Sequence, residues 1–114
     1  MKKLFFLLVS AILLLGCSKE EEYKEYEYIV SCTSDTCQVM YLTEYNSIQN
    51  VWSMTSNEWH YKFTTQNEDK SLCLYAKNSC NYGNLTITIM RDNAVIDQKT
   101  VSGAYCYVEL NGRY

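Results

Sequence analysis

Proline is absent from all 114 residues, and only four are glycine. This excludes collagen-like repeats and Pro/Gly-rich low-complexity chains, which need both in quantity. Histidine occurs once, at His60. A nucleophile–base triad needs a histidine with an oriented partner, whereas His60 stands between Trp59 and Tyr61 on an alternating segment. It is therefore expected to point outward into solvent. No Ser or Cys sits in a nucleophile-elbow motif, and no glycine-rich phosphate loop or calcium loop occurs. Paired carboxylates would have to be gathered from scattered positions such as Glu44, Glu58, Glu68, Asp69, Asp92 and Asp97. The expectation is a non-enzyme with no catalytic residue, no cofactor and no metal site. Basic residues are also few, 10 Lys and Arg against 13 Asp and Glu. With no basic cluster to track a phosphate backbone, nucleic acid is excluded as a partner.

Long apolar runs are missing as well, except at the start. Residues 4–15 are apolar apart from Ser10, and Lys2 and Lys3 precede them. That run is too short to span a hydrocarbon core, which needs about 20 residues. It ends in Leu14-Leu15-Gly16-Cys17. Charged start, short apolar run, small residue and cysteine together resemble the lipobox of bacterial lipoproteins. The resemblance implies a signal-peptide helix over residues 1–16 and lipid attachment, palmitate-type acylation included, at Cys17. Residues 17–23 then form an acidic tether, with Glu20, Glu21 and Glu22 after Ser18 and Lys19. No aspartate follows Cys17, and the acidic run resembles the surface-export signal of lipoproteins from the Bacteroidota. Partner number one is thus the membrane, through acylated Cys17. Each buried CH₂ of an acyl chain contributes about 0.8 kcal/mol. The expected location is the cell envelope, as an outer-membrane lipoprotein facing the cell surface; a periplasm-facing anchor stays open.

Removing residues 1–16 leaves 98 residues, enough for one domain with a modest core. Without Lys2 and Lys3 the formal charge is about −5, much of it in the tether. Period-2 segments dominate what remains. Residues 23–31 place Tyr26, Tyr28 and Val30 on one face. Residues 37–45 place Val39, Tyr41 and Thr43 on one face, with Met40 and Leu42 on the other. Trp59, Tyr61 and Phe63 share a face, as do Leu72, Leu74 and Ala76. Leu85, Ile87 and Ile89 form the cleanest inward stripe. Residues 94–101 follow the Arg91-Asp92-Asn93 turn, and residues 105–110 close the series. About seven short antiparallel strands in a domain over residues 24–114 predict an all-β, immunoglobulin-like β-sandwich. Residues 46–57 read either as a short edge strand or as a covering loop.

Five cysteines follow Cys17: Cys32, Cys37, Cys73, Cys80 and Cys106. An exported compartment permits disulfides. Local pairing predicts Cys32 with Cys37 across a turn and Cys73 with Cys80 across a loop. Cys106 is then free, or an alternative partner of Cys32. Cys-x₄-Cys and Cys-x₆-Cys spacings with one histidine are poor zinc signatures.

The ordered set Tyr26 to Cys32, Trp59-His60-Tyr61-Lys62-Phe63-Thr64, Leu72-Cys73-Leu74-Tyr75-Ala76-Lys77-Asn78, Leu85 to Asn93 and Ser102-Gly103-Ala104-Tyr105 resembles the MmpS family. These are small, membrane-anchored β-sandwich proteins, some of which assist MmpL-type transporters. The resemblance implies a non-catalytic accessory or adaptor for an envelope transporter. Two short segments, Tyr28 to Cys32 and Ser102 to Tyr105, also resemble lysozyme-inhibitor lipoproteins. Inhibition of an exogenous enzyme is therefore an alternative, as is a surface module binding host protein or glycan. The sequence carries 11 tyrosines, too many for the core alone. Some are expected to form an exposed aromatic surface suited to a protein or glycan partner, or to pair across strands.

Overall fold

Strict alternation of apolar and polar residues produces eight antiparallel strands in the computed structural model, which describes residues 23–54, 56–66 and 70–114. The signal-peptide helix, Cys17 and most of the tether lie outside the described residues. The strands are β1 (Lys24–Cys32), β2 (Cys37–Leu42), β3 (Ile48–Val51), β4 (Glu58–Thr65), β5 (Ser71–Asn78), β6 (Asn84–Arg91), β7 (Ala94–Ser102) and β8 (Tyr107–Arg113). They form two four-stranded sheets, ordered β4-β1-β6-β7 and β3-β2-β5-β8. The all-β sandwich is as expected, with one strand more than the seven expected. The addition is β3, which pairs with β2 as a short edge strand within the region the sequence left open.

Each predicted stripe faces inward. Tyr26, Tyr28, Val30, Val39, Leu72, Leu74, Ala76, Leu85, Ile87 and Ile89 are all fully buried between the sheets. Full burial of one such aliphatic side chain contributes about 1.5–3 kcal/mol. The sheets approach each other along β5, β6, β7 and β8. On the opposite side they are bridged by rings. Tyr41 lies 4.8 Å from Trp59 and 4.7 Å from Tyr61, and Tyr26 and Tyr28 each lie 5.5 Å from Phe63. Buried phenols need partners for their hydroxyls. Tyr26 Oη donates to the carbonyl of Tyr114 at 2.6 Å and Tyr28 Oη to that of Leu42 at 2.8 Å.

Turn chemistry sets the register. Asp92 and Asn93 have φ of 49° and 65°, as a two-residue type I′ hairpin requires. The Asp92 amide and carboxylate also bond the backbone of Glu25, which locks this hairpin to the start of β1. Tyr105, expected to open the last strand, instead has φ 53° and belongs to the turn before β8. Gly83 has φ 118°, and a Cβ there would come within 2.9 Å of Ser34 Cβ. Only glycine suits that backbone and that close approach.

One pole of the sandwich is organised around a buried amide. Asn78, fully buried at the end of β5, accepts at Oδ1 from Ser34 Oγ (2.7 Å) and from the Cys80 amide (3.0 Å). Its Nδ2 donates to the carbonyls of Tyr82 (2.7 Å) and Gly103 (3.2 Å). All four hydrogen-bonding positions of the side chain are used. They tie together the β1–β2 turn, the β5–β6 loop and the β7–β8 turn.

The same pole carries the disulfide Cys32–Cys37, formed as expected. Cys73, Cys80 and Cys106 are unbonded, so the expected Cys73–Cys80 bridge is not made. The reason is β5 itself. A strand rises about 3.3 Å per residue, so the five residues from Cys73 to Asn78 alone span about 16 Å, far beyond disulfide reach. The Cys32–Cys106 alternative is not made either. Cys32 is committed to Cys37, and β1 and β8 belong to different sheets.

Asn78→Ala strands a buried hydroxyl, an amide and two carbonyls at once. The expected cost is about 3 kcal/mol or more of unfolding free energy, since each orphaned buried group costs about 1–3 kcal/mol. Urea titration of both proteins measures it, and a loss below about 1 kcal/mol would show that water replaces the amide.

Candidate binding surface

The two outer faces of the sandwich differ in chemistry. On the first sheet, β1 and β4 present Glu25, Glu27, Glu58, His60 and Lys62, with Ile29 the aliphatic exception. His60 does point outward, as expected, but it is not simply solvated. Its Nδ1 lies 2.8 Å from Glu27 Oε2 and its Nε2 2.5 Å from Glu58 Oε1, so the protonated ring donates to both carboxylates. Antiparallel pairing sets His60 opposite Ile29, diagonal to Glu27, while Glu58 lies two residues back on the same face. These bonds, that to Glu27 first, hold the imidazole above its ordinary 6.5 despite some opposing desolvation. Lys62 Nζ and Glu25 add an ion pair at 3.6 Å. Along β1 and β4 this face is charged and internally paired, with Met90 and Val95 facing each other beyond it on β6 and β7.

The second sheet presents the opposite character. Register places Leu42 beside Ile48 and Met40 beside Tyr75. These residues alternate with the buried Val39, Leu74 and Ala76, so they face outward. Tyr107 joins them from β8, opposite Lys77, with its ring 6.3 Å from that of Tyr75. Ile48 is 49% exposed and Tyr107 67%. Trp52, directly after β3, is 75% exposed. Met40, Leu42 and Tyr75 are half-buried by one another and by the pleat. The result is an aliphatic and aromatic stripe across four strands, flanked by Gln38, Lys77, Glu109 and Asn111. An apolar patch with a polar rim is the composition of an interaction surface, because leaving it in water forgoes about 25 cal/mol per Å².

Cys73 sits in this stripe, half-buried, with Sγ 3.7 Å from Glu109 Oε1. Burial and then the Glu109 carboxylate push its thiol above the ordinary value of 9.0. At neutral pH it is a protonated, weak nucleophile.

Between the sheets, the ring-filled side holds a second polar cluster. Tyr61 Oη donates to Glu44 Oε2 at 2.7 Å, and its ionisation is pushed up to about 12, by burial first and then by that carboxylate. Lys70, only 3% exposed, donates to the Glu44 carbonyl (2.9 Å) and to Asn46 Oδ1 (3.1 Å). Asn46 has φ 61°, so Lys70 pins a left-handed turn between β2 and β3. This cluster shapes the edge from which Tyr45 and Ile48 project. Among the described residues, no group of three His, Cys, Asp or Glu side chains is placed to hold a metal ion.

Of the sequence-predicted positions, Cys32 and Cys37 are brought together and Cys73 is set apart on the outer face. Cys80 and Cys106 both lie beyond the opposite end of β5, linked to it and to each other's neighbours by the Asn78–Cys106 and Tyr105–Cys80 backbone bonds, and Cys17 lies outside the described residues. Among the tyrosines, Tyr26 and Tyr28 are core, Tyr41 and Tyr61 fill the wedge, and Tyr45, Tyr105 and Tyr107 are exposed. The apolar stripe itself was missed as a site. Its signal was present in β2, where both the Val39 face and the Met40–Leu42 face are apolar. A strand apolar on both faces is one that expects cover on both. Compared with protein-family models and with curated proteins, the chain matches none.

His60 supplies a pH dependence. Its folded-state pKa is raised above 6.5, so its stabilisation is complete below pH 6.5 and is lost as pH rises through the folded value. The stability advantage of the wild type over His60→Gln is expected to shrink across that window. An advantage that is flat with pH would show that the Glu27 and Glu58 bonds do not survive in solution.

Proposed function

We propose that this is a lipid-anchored, non-catalytic binding or accessory protein of the bacterial cell envelope. In this reading acylated Cys17 holds the domain at the outer membrane, facing the cell surface, and the acidic tether spaces it from the lipid. The partner is a protein of the envelope, a transporter being the class implied by the MmpS-like segments. The observation that carries the reading is the contrast between the two outer faces. One is charged and paired within itself along β1 and β4, and the other is an apolar stripe of Met40, Leu42, Ile48, Tyr75 and Tyr107 with no cover among the described residues. Aromatic residues that are part apolar and part polar dominate binding energy at such surfaces.

A photo-crosslinking residue placed at Tyr107 in cells is expected to trap one discrete larger species, while the same residue at Lys62 on the charged face traps none. Equal trapping from both positions, or from neither, overturns the reading. Proteinase treatment of intact cells is expected to degrade the wild type without lysis, and Cys17→Ala is expected to leave the membrane fraction. Protection until lysis would place the domain in the periplasm, and membrane retention of Cys17→Ala would remove the lipid anchor.

A further inference from the structure

The three unbonded thiols are not equivalent. Cys73 points to the outer face of the second sheet, against Glu109. Cys106 packs against the core from the inner side of the same sheet. The sheet therefore stands between these two, and the length of β5 separates Cys73 from Cys80. Cys80 and Cys106 are instead held side by side. The β5–β8 register runs Leu74 with Leu110, Ala76 with Val108 and Lys77 with Tyr107, so that Asn78 and Cys106 follow it on the two sides. The Asn78 amide donates to the Cys106 carbonyl at 2.8 Å, and the Tyr105 amide donates to the Cys80 carbonyl at 2.9 Å. Asn78 Oδ1 further fixes the Cys80 amide at 3.0 Å, and its Nδ2 fixes Gly103 across the gap. Straight continuation of the two strands, one strand spacing across and two residues along, would put the Cα atoms about 8 Å apart. The chain instead bends at Cys80, where Asn78 Oδ1 accepts from the Cys80 amide (3.0 Å) and the Cys80 carbonyl accepts from the Tyr105 amide (2.9 Å), which draws the pair in toward the window of about 4.4–6.8 Å that a disulfide occupies. Both residues are half-buried, so their sulfurs are within reach of solvent-borne oxidant.

We infer that Cys80 and Cys106 close a second disulfide in the exported protein, leaving Cys73 as the unpaired thiol among the described residues. Rotation of each side chain about its Cα–Cβ bond, among staggered positions, brings the sulfurs together. The thiolate of one attacks a sulfur of an external disulfide, of a protein or small molecule, and expels that partner's first thiolate. The second cysteine gives up its proton, attacks the mixed disulfide and expels the other thiolate. Two cysteine thiols lose two electrons and two protons, and the external disulfide is reduced to two thiols. The new bond pins the β7–β8 turn, with exposed Tyr105, to the β5–β6 loop. It lies at the same pole as Cys32–Cys37.

Trypsin separates the cysteines cleanly: Cys73 falls in residues 71–77, Cys80 in 78–91 and Cys106 in 100–113. The full chain is equilibrated with oxidised glutathione, alkylated without reduction, digested and analysed by mass spectrometry. The expected result is one cross-linked pair, 78–91 with 100–113, lighter than the two peptides by two hydrogens and released by reduction, with an alkyl group or a glutathione adduct, among these three peptides, on 71–77 alone. Cys73→Ser is expected to keep the cross-link. Alkylation or a glutathione adduct on both Cys80 and Cys106, or a cross-link involving 71–77 in the wild type, overturns the inference.

Discussion

The carboxamide of Asn78 is the constraint on which this pole of the sandwich depends. Three connections that are far apart in sequence end there: residues 33–36, 79–83 and 103–106. None has enough apolar surface to hold itself, since Ser34, Tyr82 and Gly103 meet Asn78 through single polar atoms. A buried amide with every hydrogen bond made is stabilising and directional, and the same amide with partners missing is costly. That asymmetry selects one arrangement of the three turns. From it follow the position of Ser34 beside both sulfurs of the Cys32–Cys37 bond, the glycine at position 83 and the start of β8.

The opposite demand is met on the open side of the sandwich by bulk. Where β5, β6, β7 and β8 bring the sheets together, small and medium aliphatic side chains suffice. Toward β3 and β4 the gap is filled by Tyr28, Tyr41, Trp59, Tyr61 and Phe63, whose tilted and stacked rings are each within 4.7–6.4 Å of a neighbour. Each phenol then needs an acceptor, and the chain supplies Leu42 O and Glu44 Oε2 from the end of β2. The aromatic richness of the composition is therefore spent chiefly on packing. Of the tyrosines left over, Tyr75 and Tyr107 lie in the apolar stripe and Tyr45 at its edge, while Tyr23, Tyr82 and Tyr105 are exposed elsewhere.

The outer faces divide the work. Charges on β1 and β4 satisfy one another through Glu27, Glu58 and His60, and the apolar area of that sheet's outer face is the smaller set of Ile29 and the Met90–Val95 pair. The second sheet carries its apolar stripe on the strands, not on loops. A partner would meet a surface whose side chains are positioned by backbone pairing and already half-buried by their neighbours, which lowers the ordering cost of association. Cys73 sits in that stripe as a protonated thiol, where its polarity is least costly.

Local alternation was enough to read the inner faces: Tyr26, Tyr28 and Val30, or Leu85, Ile87 and Ile89, could sit only on a core face once the strand period was seen. The Asp92-Asn93 hairpin was legible for the same local reason, because few residues tolerate positive φ in succession. Which strands became neighbours was not local. Only β2–β3 and β6–β7 are hairpins within a sheet, and the other connections cross between sheets. This is why a seven-residue spacing misled for Cys73 and Cys80, while the loops that carry Cys80 and Cys106 are bonded to each other. It is also why Glu27 reached His60 and why an apolar stripe assembled from β2, β3, β5 and β8. Strand period, core stripes and turn residues are written into short stretches of the chain, since these depend on side-chain alternation and backbone preference within a few residues. Tertiary structure alone decided the partners across strands, because register and sheet membership emerge only when distant segments bury their faces together.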